Sequence, residues 1–332
     1  MASLRNLAEL AQVSIRTVAR VLNNDANVRP ETRTKVLKAV DELGYRPNRL
    51  ARGLKRQKSF EIVVILSNFD ELHMEKVQAM EEVFRMHDYS LSMVFDKDNS
   101  SRDVSRAMED VCDRRPAGVV VMSRPLGKCR MWMNRLEEEE VPVIFVDSDS
   151  PDVPSPKVDR ARGICDAVLH LSSAGRKRIA YVGPANSTGR GNCSRLQGYM
   201  NAMKIIGGEP VIVDIAMPGD MWTLGYNSGR DFLKLSPRPD AVQMFSDEMA
   251  LAFMACMHDH GLRIPQDVAV MGFDDRHTAR FSYPPLSTVR QPNAEIGRCV
   301  GELLLKKINN SCDEKEDFSP LIPPSLVIRS ST

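Results

Sequence analysis

From Phe60 onward the sequence keeps returning to short, uniformly apolar runs: EIVVILS, YSLSMVF, GVVVM and PVIFVD, then RIAYVG, PVIVDI, AVQMF and VAVMGF. Nothing else in the chain restricts its fold as strongly. A strand with one wet face alternates apolar and polar residues, whereas a strand that is apolar throughout must be covered on both faces. Helix-length amphipathic stretches separate the runs, and that alternation builds parallel sheets with helices on both sides. The runs form two sets of four, divided by a Pro- and Ser-rich patch from Ser150 to Lys157. Two similar α/β lobes are therefore predicted. Sheets of this kind hold a ligand at the carboxyl ends of their strands, in the cleft between the lobes.

The first 58 residues have a different texture. Leu4, Leu7, Ala8 and Ala11 recur at helical spacing, and Gln12 and Val13 make a turn. Ser14 is placed to cap a second helix with Val18, Val21 and Leu22 on its inner face. Pro30 suits the first position of a third helix, whose stripe is Val36, Val40 and Leu43, and Gly44 follows as its C-terminal cap. Tyr45 to Ser59, YRPNRLARGLKRQKS, is basic with little to bury and reads as a linker. The whole chain has a formal net charge of +1, yet residues 1–58 carry thirteen Lys/Arg against five Asp/Glu. A head of +8 thus sits on a body of −7, the asymmetry expected when one unit meets a polyanion and the other does not.

The stretch LAELAQVSIRTVARVLN has the dimensions of a helix-turn-helix, with VSIRTVARVLN as its second helix. Its outward residues Ile15, Arg16, Thr17, Arg20 and Asn23 suit base edges and phosphates. Arginine can fork onto guanine, and an apolar tip such as Ile15 can meet a thymine methyl. A small surface hairpin with solvated arginines would show the same short pattern.

The blocks VSIRTVARVLN, ETRTKVLKAVDELGYRPNRLARGLK, AGRKRIAYVG, SRLQGY, SDEMALAF, GLRIPQDVAVMGFDD and PPLSTVRQP follow one another along the whole chain. In that order they resemble the lac repressor/galactose repressor (LacI/GalR) family of bacterial transcription regulators. The resemblance implies a small all-α helix-turn-helix head at 1–46 and a hinge at 47–59. The core at 60–332 would be an α/β two-lobed unit like periplasmic sugar-binding proteins. One lobe would span about 60–158 and 291–320, the other about 159–290 and 321–332. It implies a homodimer on double-stranded operator DNA, a repressor switched by a small-molecule effector of sugar type, and no cofactor.

By the same resemblance the DNA-binding residues are Ser14, Ile15, Arg16, Thr17, Arg20, Asn23, Asn48, Leu54 and Lys55, with Ile15 and Arg16 setting specificity. Leu54 and Lys55 match the position where the family wedges a leucine into the minor groove. Gly53 in so short a segment makes any helix there marginal on its own. Ala19 stands where the family usually has serine, and Arg29 replaces the usual serine cap of the third helix. The resemblance places Asp147, Arg195, Trp222, Ser246, Asp247 and Asp274 around the cleft as effector-binding residues. Carboxylates and arginine direct hydrogen bonds to sugar hydroxyls, and an indole stacks on a ring. The three aspartates could equally cap helices or end strands. SNFDELHMEK, after the first apolar run, departs from the family pattern and is one residue shorter, which points to an unusual ligand.

Enzyme classes find little support. The chain has no GxSxG, no P-loop and no HExxH, and GRGNC lacks the third glycine of a dinucleotide fingerprint. His258 and His260 stand at i, i+2, on different sides of a helix, and the Glu137–Glu140 run is a solvated face. Seven scattered cysteines without a CxxC pair, no export signal and no membrane-length apolar run read as a cytoplasmic chain with reduced thiols. The rival readings are a soluble sugar-binding protein or a degenerate sugar-processing enzyme with an accidental basic head. Salt-dependent binding to a defined duplex site separates them.

Overall fold

The structure is a computed structural model. It describes residues 3–22, 25, 27–45, 59–66, 69–95, 101–122, 130–148, 153–185, 194–216, 219–313 and 317–332, with backbone alone at 101–107, 130 and 131. The chain divides into two compact units, Met1–Phe60 and Glu61–Thr332.

The first unit holds three helices, α1 (Leu4–Leu10), α2 (Ile15–Leu22) and α3 (Pro30–Glu42). Ser3 starts α1 with a capping box: its Oγ accepts the Asn6 N–H while the Asn6 side chain accepts the Ser3 N–H. The turn into α2 puts Gln12 at φ +54°, and Ser14 Oγ then accepts the Thr17 N–H at 3.0 Å. Leu7, Ala8, Ala11, Val18, Val21, Val28, Val36 and Ala39 form the small core. Leu43 was expected in that stripe but is 38% exposed, and Ala39 takes its place. The reason is local. Leu43 is the C-cap, where the chain leaves the helix axis: Gly44 turns to φ +54°, its N–H meets the Asp41 carbonyl and the Tyr45 N–H meets that of Val40. That is the Schellman closure glycine permits.

The second unit contains two four-stranded parallel sheets of identical winding. In the first, β1 (Glu61–Leu66) lies between β2 (Ser90–Phe95) and β3 (Gly118–Met122), with β4 (Val143–Val146) at the edge beyond β3. In the second, β6 (Ile179–Gly183) lies between β7 (Val211–Asp214) and β8 (Ala241–Met244), with β9 (Ala269–Met271) beyond β8. The uniformly apolar runs are explained by β1. Ile62, Val64 and Leu66 enter one hydrophobic cluster, Val63 and Ile65 the opposite one. On the first face lie α4 (Glu71–Met86) and α12 (Asn293–Ile308); on the other lie α5 (Ser101–Arg114) and α6 (Arg130–Glu138). The second sheet is covered by α7 (Arg160–Ser173) and α8 (Ser194–Ile206) on one side, and by α9 (Met221–Leu233) and α10 (Asp247–Asp259) on the other. The short helix α11 (His277–Phe281) follows β9.

Two small pairings tie the connections between the lobes. β5 (Lys157–Val158) runs parallel to β11 (Leu321–Ile322), and β10 (Thr288–Arg290) runs antiparallel to β12 (Ser325–Val327). Close packing of α4 on α12 depends on Gly297, where an added Cβ would come within 2.3 Å of the Lys76 carbonyl oxygen. That approach sets the position of Lys76 over the ends of the first sheet. Among the described residues no helix is long and apolar enough to cross a membrane.

Candidate functional site

In the first unit, α2 buries Val18 and Val21 and turns Ile15 and Arg16 to solvent, Ile15 at 48% exposure. Arg16 has no hydrogen-bond or ion-pair partner among the described residues. Ser14 and Thr17 are occupied with each other, their hydroxyl oxygens 2.8 Å apart. Arg20 is exposed but paired, its Nε donating to Asp25 at 2.7 Å. Arg29 stands at the start of α3 without a side-chain cap bond, as the missing serine implies. Asn23, Asn48, Leu54 and Lys55 lie outside the described residues.

In the second unit, the cleft chemistry gathers at the carboxyl ends of the strands. Asp147 follows β4 at φ +57°. One carboxylate oxygen accepts from Lys76 Nζ at 2.9 Å; the other lies 3.0 Å from Arg160 Nη2 and 3.2 Å from the Val158 amide. Lys76 is only 2% exposed. Burial alone would raise the Asp147 pKa, but Arg160 and Lys76 hold it well below the usual carboxylate range. A buried lysine that meets a carboxylate from one lobe, shared with an arginine starting the other lobe's first helix, joins both lobes at one point.

Asp274, at φ 124° after β9, accepts from Gln291 Nε2 at 2.5 Å and faces Arg195 at 3.7 Å. The Arg195 guanidinium is sandwiched between the rings of Phe245 and Phe273, 4.2 and 4.4 Å from their centroids. This stacking orients the plane while its charge points at the carboxylate. Arg276, beside them, donates to Asp70 at 2.6 Å and lies near Glu71 and Glu248. Since Asp70 caps α4, this contact is a second link between the lobes.

Four of the six expected cleft residues, Asp147, Arg195, Asp247 and Asp274, come together in this network. Two expectations need correction. Asp247 is fully buried, with one oxygen accepting from Thr288 Oγ1 at 2.6 Å and the other from the Arg276 amide at 2.8 Å. It has no open face for a ligand, because it braces the loop after β9. Burial and the nearby Asp274 charge push its pKa well above the usual carboxylate range. Ser246, likewise, is the buried cap of α10, its Oγ accepting the Met249 N–H at 3.4 Å. Trp222 is 45% exposed in the first turn of α9, and no hydrogen bond, ion pair or ring contact joins it to the cluster.

Sequence reasoning missed Lys76, Arg160, Arg276, Gln291 and Asn293. A cavity of about 520 Å³ opens here, lined by Glu75, Asp274, Arg276, Gln291 and Asn293 with Arg280 and Arg298 at its rim. Gln291 and Asn293 donate their amide N–H to Asp274 and Glu75, yet Gln291 Oε1 and Asn293 Oδ1 are buried without a partner among the described residues. The visible signal was the departure in SNFDELHMEK, which supplies Asp70, His73 and Lys76. Among the described residues no cluster of His, Cys, Asp or Glu could hold a metal ion.

A helix-turn-helix unit followed in the chain by a two-lobed, doubly wound core with a charged cleft defines a regulator built around the periplasmic-binding-protein fold. Residues 3–48 match the family model of bacterial regulatory proteins of the lacI family, and residues 168–332 match the periplasmic binding protein-like domain. The chain is 30% identical over 332 residues to catabolite control protein A of Priestia megaterium, covering 98% of each. It is 31% identical to the ribose operon repressor of Haemophilus influenzae, covering all of this chain and 98% of that one. The lac repressor dimer bound to operator and an anti-inducer superposes with a TM-score of 0.80 at 26% identity, covering 99% of this chain and 98% of that one. The regulator CelR in complex with cellobiose gives 0.70 at 26% identity over the full length of both. The chain belongs to the lacI family of bacterial regulatory proteins, which are transcription regulators and not enzymes.

Proposed function

We propose that this protein is a cytoplasmic repressor that binds a pseudo-palindromic operator as a homodimer and is switched by a sugar or sugar derivative in the interlobe cleft. The exposed face of α2, with Ile15 and Arg16 turned to solvent, carries the DNA half of this reading. Ile15 and Arg16 stand out from a helix whose opposite face is buried, within a segment, residues 1–58, of net charge +8. A side chain read by base edges must be free to leave water, and these two are. Ser14, Thr17 and Arg20 act beside them, and Asn23, Asn48, Leu54 and Lys55 extend the contact by family resemblance. Two heads on a two-fold axis imply a palindromic site, and the operator-bound lac repressor dimer supports that geometry.

For the effector, the buried amide oxygens of Gln291 and Asn293 favour a ligand that brings hydroxyl donors. Asp274 lines the same cavity, Asp147, Arg195 and Trp222 join the proposed site by family resemblance, and the cellobiose complex of CelR supports a sugar-like ligand. The lobe boundaries at about 158/159, 290/291 and 320/321 agree with the packing of α12 on α4 and with the two small strand pairings. A ligand that prefers one lobe orientation would shift the population of the two and so the placement of the heads.

The test is selection from a random duplex library followed by titration of the enriched site against salt. A two-fold symmetric motif and a linear fall of log affinity with log salt are expected. A chain that enriches no sequence would be a ligand-binding protein without a DNA role.

A further inference from the structure

Arg16 and Arg20 stand one turn apart on the same short helix, yet their surroundings differ. Arg16 is free among the described residues. Arg20 donates its Nε–H to Asp25 Oδ2 at 2.7 Å, and its Nη2 lies 3.4 Å from the Asn27 carbonyl oxygen. Asp25 is itself held firmly. Its Oδ1 accepts the Asn27 N–H at 2.9 Å, its own N–H donates to the Arg20 carbonyl at 3.0 Å, and its carbonyl accepts from Arg33 Nη2 at 2.7 Å. Among the described residues, Asp25 is thus held by Arg20 on α2, by the Asn27 amide and by Arg33 on α3.

Stability does not account for the pair. Its side chains are 44% and 31% exposed, and ion pairs in such places add little to folding. Geometry accounts for it better. The guanidinium is a planar fork with five N–H donors, and Asp25 takes the one on Nε. Nη1 remains, and so does the second N–H of Nη2 beyond the one facing the Asn27 carbonyl, and these can reach guanine O6 and N7 together in an end-on approach. A long side chain held by a fixed carboxylate reaches the groove already ordered, which lowers the entropy lost on binding.

We infer that Asp25 is a positioning residue that aims Arg20 end-on at a guanine, making a loop carboxylate a determinant of DNA specificity. The inference rests on the proposed duplex binding by α2. It also explains why a DNA-facing unit keeps a negative charge beside its recognition helix. Such a charge repels phosphates and lowers affinity for every sequence alike, so its benefit must lie in discrimination.

The test uses the full-length chain and the duplex motif it enriches from a random library, with every base pair of one half-site varied in turn. Asp25→Asn keeps the Oδ1 acceptor for the Asn27 amide and removes the charge. Wild-type protein should prefer its guanine by about five- to 150-fold. Asp25→Asn should lose most of that preference at the base pair that Arg20→Ala affects, and the double variant should lose no more than Arg20→Ala alone. NMR of the wild-type complex should show the Arg20 Nε–H protected from exchange relative to that of Arg16, a readout independent of how the variant folds. An Asp25→Asn profile unchanged at every position, a uniform gain on all duplexes, or an Arg20 Nε–H exchanging as fast as that of Arg16 would overturn the inference. If wild-type protein enriches no motif, duplex binding by α2 falls first and takes this inference with it.

Discussion

The two units of this protein use arginine in opposite ways. On α2, Arg16 stands exposed with no partner among the described residues. In the core, the Arg276 side chain is 14% exposed and surrounded by Asp70, Glu71, Glu248 and Asp274. Removing a charge from the first place should change what the protein binds and leave the fold alone. Removing one from the second should change the fold, because a buried charge left without its partner is costly. The contrast shows that charge in a sequence says nothing of its role until its surroundings are known.

The hardest blow to this contrast would come from Asp147. Asp147→Ala strands a lysine that is 2% exposed and should cost about 3–5 kcal/mol in urea unfolding of the full chain. A loss below about 1 kcal/mol would mean that water already reaches the pair and that Lys76 and Asp147 are not held out of solvent.

Acid should produce a graded form of the same loss. Because the folded Asp147 pKa is depressed, its stabilisation is present above its ordinary value of 3.8 and is lost as pH falls below it. Asp247 has the opposite sign. Its folded pKa is raised by burial and by Asp274, so its contribution is present in acid and fades as pH rises through the raised value. Thermal melts against pH should therefore flatten below the ordinary aspartate value in Asp147→Asn and above it in Asp247→Asn. Both variants following the wild-type curve would remove these groups from the stability of the core.

Arg16→Ala sharpens the other arm. It should cost about 1–3 kcal/mol at one base pair of the enriched site and leave the melting of both units unchanged. Equal weakening on every duplex would reduce Arg16 to a phosphate contact. The smallest effect belongs to Trp222. Exposed at 45%, its replacement by alanine should move stability by no more than about 0.5 kcal/mol. Its proposed part is in ligand binding, so the same variant should weaken the thermal shift that a bound sugar produces.

Asp247 and Asp274 show where reading from sequence stops. Each follows an apolar strand, and each was expected to meet ligand hydroxyls. The structure leaves Asp274 beside the cavity and closes Asp247 behind Thr288 and the Arg276 amide. Two positions with the same local pattern differ in surroundings because both oxygens of Asp247 are taken by Thr288 and the Arg276 amide, whereas Asp274 borders the cavity.

What could be read without coordinates was whatever neighbours in the chain decide. Both sheets, their parallel winding, the three head helices and the caps at Ser14 and Gly44 follow from periodicity and turn chemistry, which act over a few residues. The basic head follows from counting. The cleft needed the tertiary structure. Lys76 meets Asp147 across 71 residues, Arg276 meets Asp70 across 206, and Asn293 meets Glu75 across 218. Any lysine could pair with any of the chain's 44 acidic residues, and Coulomb attraction alone does not choose among them. The choice is made by which side chains the packed helices and strands bring within 3 Å of each other, and that is fixed only when the core closes.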